Sequence, residues 1–506
     1  MMLSDSTTIK KLLGGKSILV LLVLIALPGA SVIGLLMAKE PLLATAVLLS
    51  IPILFALIKW PDAATLLVVF YLYLNAGPVL MKFHGVPSYI AQGFPVLLSI
   101  PLIWHLSVRR ERLIITPVFF LLLLLLVVYI MGAAFSMDIV LAQRKLIDYV
   151  FEGVLLYFFL TNIIRTPRML KRVIWALLIS GALIGGLSLY QQVTGTFEND
   201  YGGFAQVASS FGTGEQNLQG EIEQSRLMGS IGEQNRYAQN MLMLVPLGLF
   251  QLWIYRSTRV RILALIMSGL IIIGGALAFS RGAAVGFVIM ILIFVLLRYI
   301  KFSQFLLLIL GAALVLWMFP QYTVRLSSLS VLSDAATSEG AISLAEADGA
   351  IRGRATDMLA ALLIFADHPL VGVGPDMVRY YTQDYSRDIG FRYLTNNPQA
   401  HSLFPGIAAE SGIFGLICFL LMLFIPLRDL VRARNRWQLS HPDLSYLATA
   451  FLQVLISYVV TGLFLHLSYL RFFYMMLALA VVASNLEVED TVVEAKSTEI
   501  AVTPGK

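Results

Sequence analysis

The sequence predicts an all-α integral membrane protein of about 12–14 transmembrane helices with two long external loops. Three observations carry that prediction. Of 506 residues, 58% are hydrophobic and only 13% are charged, against about 25% charged in soluble domains. Apolar runs of roughly 18 residues or more, enough to cross the hydrocarbon core, recur along the whole chain. Lysine and arginine cluster in alternate loops, the pattern that marks cytoplasmic segments.

The first apolar run, 17–38, follows Lys10, Lys11 and Lys16. It is longer than a signal-peptide core and lacks a convincing small-x-small cleavage site before Lys39, so it reads as an uncleaved span. Further spans are expected at 41–60, 63–81, 88–106, 114–135, 148–164 and 173–194, completing an N-terminal membrane region over 1–194. A first external loop is expected over 195–236, and central spans at 237–255, 262–279, 282–297 and 303–320. A large external loop is expected over 321–401, then spans at 402–425, 446–466 and 470–485, and a polar, disordered tail over 486–506.

With the N-terminus in the cytoplasm, the clusters at Arg109/Arg110/Arg112, Arg165/Arg168/Lys171/Arg172, Arg256/Arg259/Arg261 and Arg428/Arg432/Arg434/Arg436 all fall on one side. The positive-inside rule then sets both termini in the cytoplasm. The net charge of +6 is no nucleic-acid signature, because the basic residues are dispersed and never interleave with aromatics in a block. The single cysteine, Cys418, excludes an internal disulfide. In the large loop, Ile351, Ala355, Met358, Leu359, Leu362 and Phe365 recur at helical spacing. They predict an amphipathic helix with that face buried.

Arginines outside the basic clusters are the informative residues. Arg281 interrupts "IIIGGALAFSRGAAVGFVIMILIF" at a hairpin so short that its side chain must sit at the membrane boundary. It can snorkel to lipid phosphate, or offer a planar fork to the pyrophosphate of a lipid-carried substrate. Arg226 and Arg354 invite the same two readings, and Arg352 competes with Arg354 on spacing alone. His401 ends a polar loop at the start of an apolar helix. A neutral imidazole, with a reference pKa of about 6.5, can take a proton from an attacking hydroxyl. On a continuous helix, Ala408, Gly412 and Gly415 would line up within roughly 40° of His401. Glu410 would fall on the opposite side, some 14 Å deeper at about 1.5 Å per residue. It reads first as a buried hydrogen bonder and second as a substrate contact.

Together these stretches resemble the O-antigen ligase and polymerase superfamily of bacterial polytopic membrane glycosyltransferases. The resemblance runs through Arg226, Gly229, Asn235 and Ala238, then Ser280-Arg281-Gly282, then Gly353-Arg354 and "DHPLVGVGP" from Asp367 to Pro375. It closes on His401-Ser402 with Glu410, Gly412 and Gly415, covering roughly residues 220–420. Met358 stands where a tryptophan is common, and Ser402 where asparagine is more frequent.

The resemblance implies a glycosyltransferase-C-like architecture and a glycan transfer without metal or other cofactor. The donor would be a glycan on undecaprenyl pyrophosphate, and the acceptor a hydroxyl on a glycan or lipid-linked partner. In that chemistry Arg226, Arg281, Arg354 or Arg352 neutralise the pyrophosphate, Glu410 is a further substrate contact, and His401 is the base. Two rival readings are a multi-pass transporter and a non-catalytic component of a polysaccharide export complex. A transporter would need ionisable groups at mid-membrane and two related halves.

Overall fold

The computed structural model describes residues 57–208, 225–300, 303, 306, 310, 349–389, 402–465 and 470–486. The expected spans at 17–38, 41–60 and 303–320 lie wholly or almost wholly outside these residues, as do His401, the side chain of Arg352 and the tail. The chain divides into two compact units, Met1–Ala64 and Thr65–Lys506. Of the first, residues 57–64 are described, and they include the start of one helix.

Helices make up nearly all of the described structure. In order they are α1 (Pro61–Tyr73), α2 (Ala76–His84), α3 (Ser88–Gly93), α4 (Phe94–Val108), α5 (Pro117–Ala134), α6 (Ile139–Ile163) and α7 (Pro167–Thr194). Two short antiparallel strands follow, β1 (Gln206–Val207) and β2 (Leu227–Gly229). Then come α8 (Gln234–Ile254), α9 (Thr258–Ala276), α10 (Arg281–Leu296), α11 (Gly349–Asp367), α12 (Val378–Ile389), α13 (Leu403–Trp437), α14 (Pro442–Gly462) and α15 (Leu470–Ser484). Among the described residues, α5, α6, α7, α9, α13 and α14 are each long and apolar enough to cross a membrane. The protein is therefore an all-α, multi-span membrane protein.

The chain spells out where many of these helices start. Thr116 and Thr166 cap α5 and α7, each accepting from the N–H three residues on, and each is followed by a proline at the first helical position. Such residues satisfy amide groups that have no partner within the helix. Asp138 does the same for α6, accepting from Leu141 N–H at 2.9 Å. Other boundaries differ from expectation. The expected span 63–81 is broken at Asn75 (φ 58°), where α1 and α2 meet at 60°. Helix α6 begins at Ile139 rather than 148 and contains wide, π-type turns over Tyr149–Leu155.

With little hydrophobic drive inside a bilayer, helices associate through close packing of small residues. Gly185 of α7 and Gly274 of α9 meet backbone to backbone, so a Cβ on Gly274 would stand 2.6 Å from Gly185 Cα. Helix α8 is buried without interruption from Arg236 to Gly248, and α15 from Phe472 to Ser484. Burial on every face marks both as interior helices.

Candidate active site

The turn between α9 and α10 is built before its arginine arrives. Leu277, Ala278 and Phe279 are buried, and Phe279 takes a left-handed φ of 50°. Ser280 then caps α10 by accepting from Ala283 N–H at 3.5 Å, which makes Arg281 the first residue of the helix. Unpaired N–H groups and the positive end of the helix dipole favour an anion there. Strand β2 reaches the same turn, since Leu227 N–H donates to Leu277 O at 3.2 Å. Just before β2, Arg226 donates from Nε to Ala278 O at 3.0 Å, and from Nη2 to Phe279 O at 3.4 Å and Asn235 Oδ1 at 3.3 Å. Arg226 and the Ser280-Arg281-Gly282 turn, 52 residues apart through the Nε contact, thus form one corner.

A second helix N-terminus meets that corner. Glu233 caps α8, accepting from Asn235 N–H at 3.0 Å and Arg236 N–H at 2.6 Å, and Asn235 Nδ2 adds a third bond at 3.1 Å. Arg236 is only 2% exposed. It donates to Gln239 Oε1 at 2.9 Å, and Gln239 donates in turn to Thr461 Oγ1 on α14 at 2.8 Å. Arg236, Gln239 and Thr461 were not among the site candidates from sequence. The available signal was an arginine and a glutamine three apart at the polar start of a membrane-type helix, a spacing that lets them touch.

The end of α14 connects this corner to the start of α13. A Cβ on Gly282 would lie 3.3 Å from Phe464, and one on Gly462 would lie 2.8 Å from Leu403 Cδ2. Leu403, two residues after His401, therefore sits on the same end of α14 that α10 packs against. His401 itself lies outside the described residues.

Helix α11, carrying half-buried Arg354, differs from the expected amphipathic pattern. Met358, Leu362 and Leu363 are exposed. The buried face is Gly353, Thr356, Asp357, Ala360, Ala361 and Ile364. Small and polar residues face the protein because α11 must lie close to α12 and α13, and the larger apolar side chains are left outward. On α12, Tyr380 donates to Asp138 Oδ2 at 3.0 Å. The N–H of Leu141 and this phenol together hold Asp138 below the usual carboxylate range. Tyr385 donates to Asp367, and that bond pushes its phenol up to about 12. Arg379 pairs with Asp376, just before α12, at 2.6 Å, and Arg387 with Asp384 within α12 at 4.0 Å.

The "DHPLVGVGP" loop and the Glu-x-Gly-x-x-Gly stretch prove to be two halves of one junction. Helix α13 is interrupted at Gly412, where φ is 63° and ψ is −164°. The interruption frees backbone groups, and the loop takes them up. Val373 N–H donates to Ala409 O at 2.9 Å, Gly374 N–H to Glu410 O at 3.0 Å, and Ile413 N–H to Pro369 O at 2.8 Å. The Glu410 carboxyl accepts from the N–H of Asp376. Glu410 thus bonds to the loop, and none of the hydrogen bonds of Arg226 given above reaches it. The expected strip Ala408-Gly412-Gly415 does not exist as one helical face, because the helix changes direction in the middle of it.

The multi-span helical bundle thus gathers Arg226, Arg236 and Arg281 at the N-termini of α8 and α10. Residues 263–420 match the family model described as O-antigen ligase, which supports the resemblance to the O-antigen ligase and polymerase superfamily. No curated protein matches the chain.

Proposed function

We propose that the protein is an inverting membrane glycosyltransferase that needs no metal. It moves a glycan from undecaprenyl pyrophosphate to an acceptor hydroxyl during synthesis of a cell-surface polysaccharide, O-antigen or exopolysaccharide, as ligase or polymerase. The observation that carries this reading is the corner where Arg226 and Arg281 meet the N-termini of α8 and α10. A pyrophosphate leaves readily once its charge is neutralised, and positioned cations and N–H dipoles supply that neutralisation. Arg281 is the principal donor to the phosphate oxygens, with Arg354 or Arg352 joining from α11 and Arg226 belonging to the same corner. His401 takes the proton of the acceptor hydroxyl. The acceptor oxygen then bonds to the anomeric carbon from the face opposite the leaving group, and the bond from that carbon to the pyrophosphate oxygen breaks with its electron pair.

In this reading the protein lies in a bacterial plasma membrane with both termini cytoplasmic and the site facing outward. Cysteines placed at Ser209 or Thr337 should react with an impermeant reagent in intact cells or spheroplasts, and one at Ser440 should not; the reverse pattern refutes the orientation. The activity itself is tested with purified protein and an undecaprenyl-pyrophosphate-linked glycan. Wild type should transfer the glycan, and Arg281→Ala should leave protein abundance near normal while transfer collapses. Undiminished transfer by that variant refutes the assignment, and flux of unmodified substrate across the membrane without transfer would favour the transporter. Glycans from a deletion strain separate the two enzyme forms: capped single repeats indicate a missing polymerase, and accumulated long lipid-linked chains a missing ligase.

A further inference from the structure

We infer that Arg226 is a positioning residue, whose guanidinium clamps the Ala278 and Phe279 carbonyls and so holds the turn that presents Arg281. The inference rests on the reading of Arg281 as the donor's phosphate ligand.

A guanidinium binds phosphate or carboxylate through two parallel N–H groups on one edge. In Arg226 the edge formed by Nε and Nη2 already lies on protein, at Ala278 O, Phe279 O and Asn235 Oδ1. The side chain is 9% exposed and is directed into the turn. That turn needs holding. It follows the C-terminus of α9, where the last carbonyls lack partners along the helix and the dipole favours a cation. It also contains a phenylalanine at φ 50°, a backbone region disfavoured for any side chain with a Cβ. Short-range bonds tighten it, from Ala278 N–H to Gly275 O and from Phe279 N–H to Ala276 O. Arg226 supplies what those bonds do not: a charge-assisted pair of donors to the two carbonyls immediately before Ser280, the cap from which Arg281 projects. Asn235 ties the same guanidinium to the start of α8, so one side chain sets the α10 N-terminus against the α8 N-terminus.

Two measurements on the purified full-length protein test this. The first is hydrogen exchange without donor, comparing wild type, Arg226→Gln and Arg226→Lys. Amides of 277–283 should exchange about tenfold or more faster in Arg226→Gln, with a smaller change in Arg226→Lys and none in the buried middle of α8. Unchanged exchange at 277–283 in Arg226→Gln overturns the inference, and faster exchange throughout the protein assigns Arg226 to global stability instead. The second is a cycle with undecaprenyl pyrophosphate as the probe, in Arg226→Gln, Arg281→Gln and the double variant. Arg281→Gln should weaken binding by roughly ten- to a hundredfold. Adding Arg226→Gln to it should cost less than about a further twofold, because a residue acting through Arg281 has nothing left to act on. Multiplicative losses overturn the inference by making Arg226 an independent phosphate ligand. If Arg281→Gln leaves binding unchanged while the exchange result holds, the donor assignment fails and the clamp stands.

Discussion

At the arginine corner, side chains satisfy the backbone: Arg226 takes up the carbonyls at the end of α9, and Glu233 and Ser280 cap the helices that follow. At the glycine junction, backbone satisfies backbone: three main-chain bonds between the 369–374 loop and the break in α13 replace the helical bonds lost at Gly412. The two regions need the same thing, partners for polar groups that would otherwise be stranded in an apolar surrounding. They differ in what they tolerate. A side-chain clamp can be weakened by degrees, since a shorter or differently shaped donor keeps part of the interaction. A junction in which two backbones touch has no room for any side chain.

The largest effect should come from putting a methyl group into that contact. A Cβ on Gly412 would lie 2.2 Å from the Leu370 carbonyl carbon, and one on Gly372 would lie 2.4 Å from that of Glu410. Both glycines also have positive φ. Gly412→Ala and Gly372→Ala should each cost about 2–5 kcal/mol from overpacking and left-handed strain together. The loss would be read as poor recovery of monodisperse protein and a lowered thermal midpoint. Normal yield and midpoint for both variants would mean that the junction is looser than its contacts imply.

Next in size are variants that should spare the fold and strike the chemistry. His401→Ala should lower transfer by about 10²–10⁴-fold, the usual contribution of a positioned base. Donor binding should stay largely intact in a direct titration. The wild-type rate should fall at acid pH, because an imidazolium cannot accept a proton. Wild-type turnover in His401→Gln would end the base assignment. Arg281→Ala should cost about 10²–10³-fold, and Arg281→Lys should recover little of it because the fork is lost. Full rescue by lysine would reduce Arg281 to a point charge.

Smaller still is the effect expected where the corner is buttressed from behind. Thr461→Val removes the acceptor of Gln239, a bond buried at both ends, and should cost about 1 kcal/mol with donor affinity nearly unchanged. A large loss of affinity would show that α14 helps to set the corner.

The smallest effect belongs to α12. The hydrogen bond that Tyr385 donates to Asp367 pushes its phenol up to about 12. A raised folded-state pKa means stability fully present below the unfolded value of about 10 and lost as pH rises toward 12. Tyr385→Phe should remove that component from the ultraviolet titration and lower the thermal midpoint at neutral pH only slightly, because the bond is exposed to solvent and screened.

How much of this was legible depends on which atoms carry the information. Hydropathy alone located α5, α7, α9, α13 and α14, since about 20 apolar residues in a row have few fates other than a membrane. The order of the arginine motifs pointed to Arg226 and Arg281 as parts of one apparatus. Helix α11 was read with the wrong face inward, because periodicity reports which residues are apolar and not which neighbour they meet. In a membrane protein the large apolar side chains can face outward while Gly353, Ala360 and Ala361 take the tight contact. The break at Gly412 escaped because glycines are tolerated within membrane helices, so nothing local separates a bent helix from a straight one.

By itself, the sequence determined the helical, multi-span class and the kinds of residue at the site, because both depend on side-chain chemistry spelled out along the chain. Only the tertiary structure decided that the glycine-rich loop mends the break in α13, that Gln239 links buried Arg236 to Thr461 of α14, and that the Arg226 guanidinium lies on two carbonyls of the Arg281 turn. Those facts are pairings between groups tens of residues apart, many of them backbone atoms that every residue carries alike. Which of them meet is settled by how the helices pack, and no stretch of sequence records it.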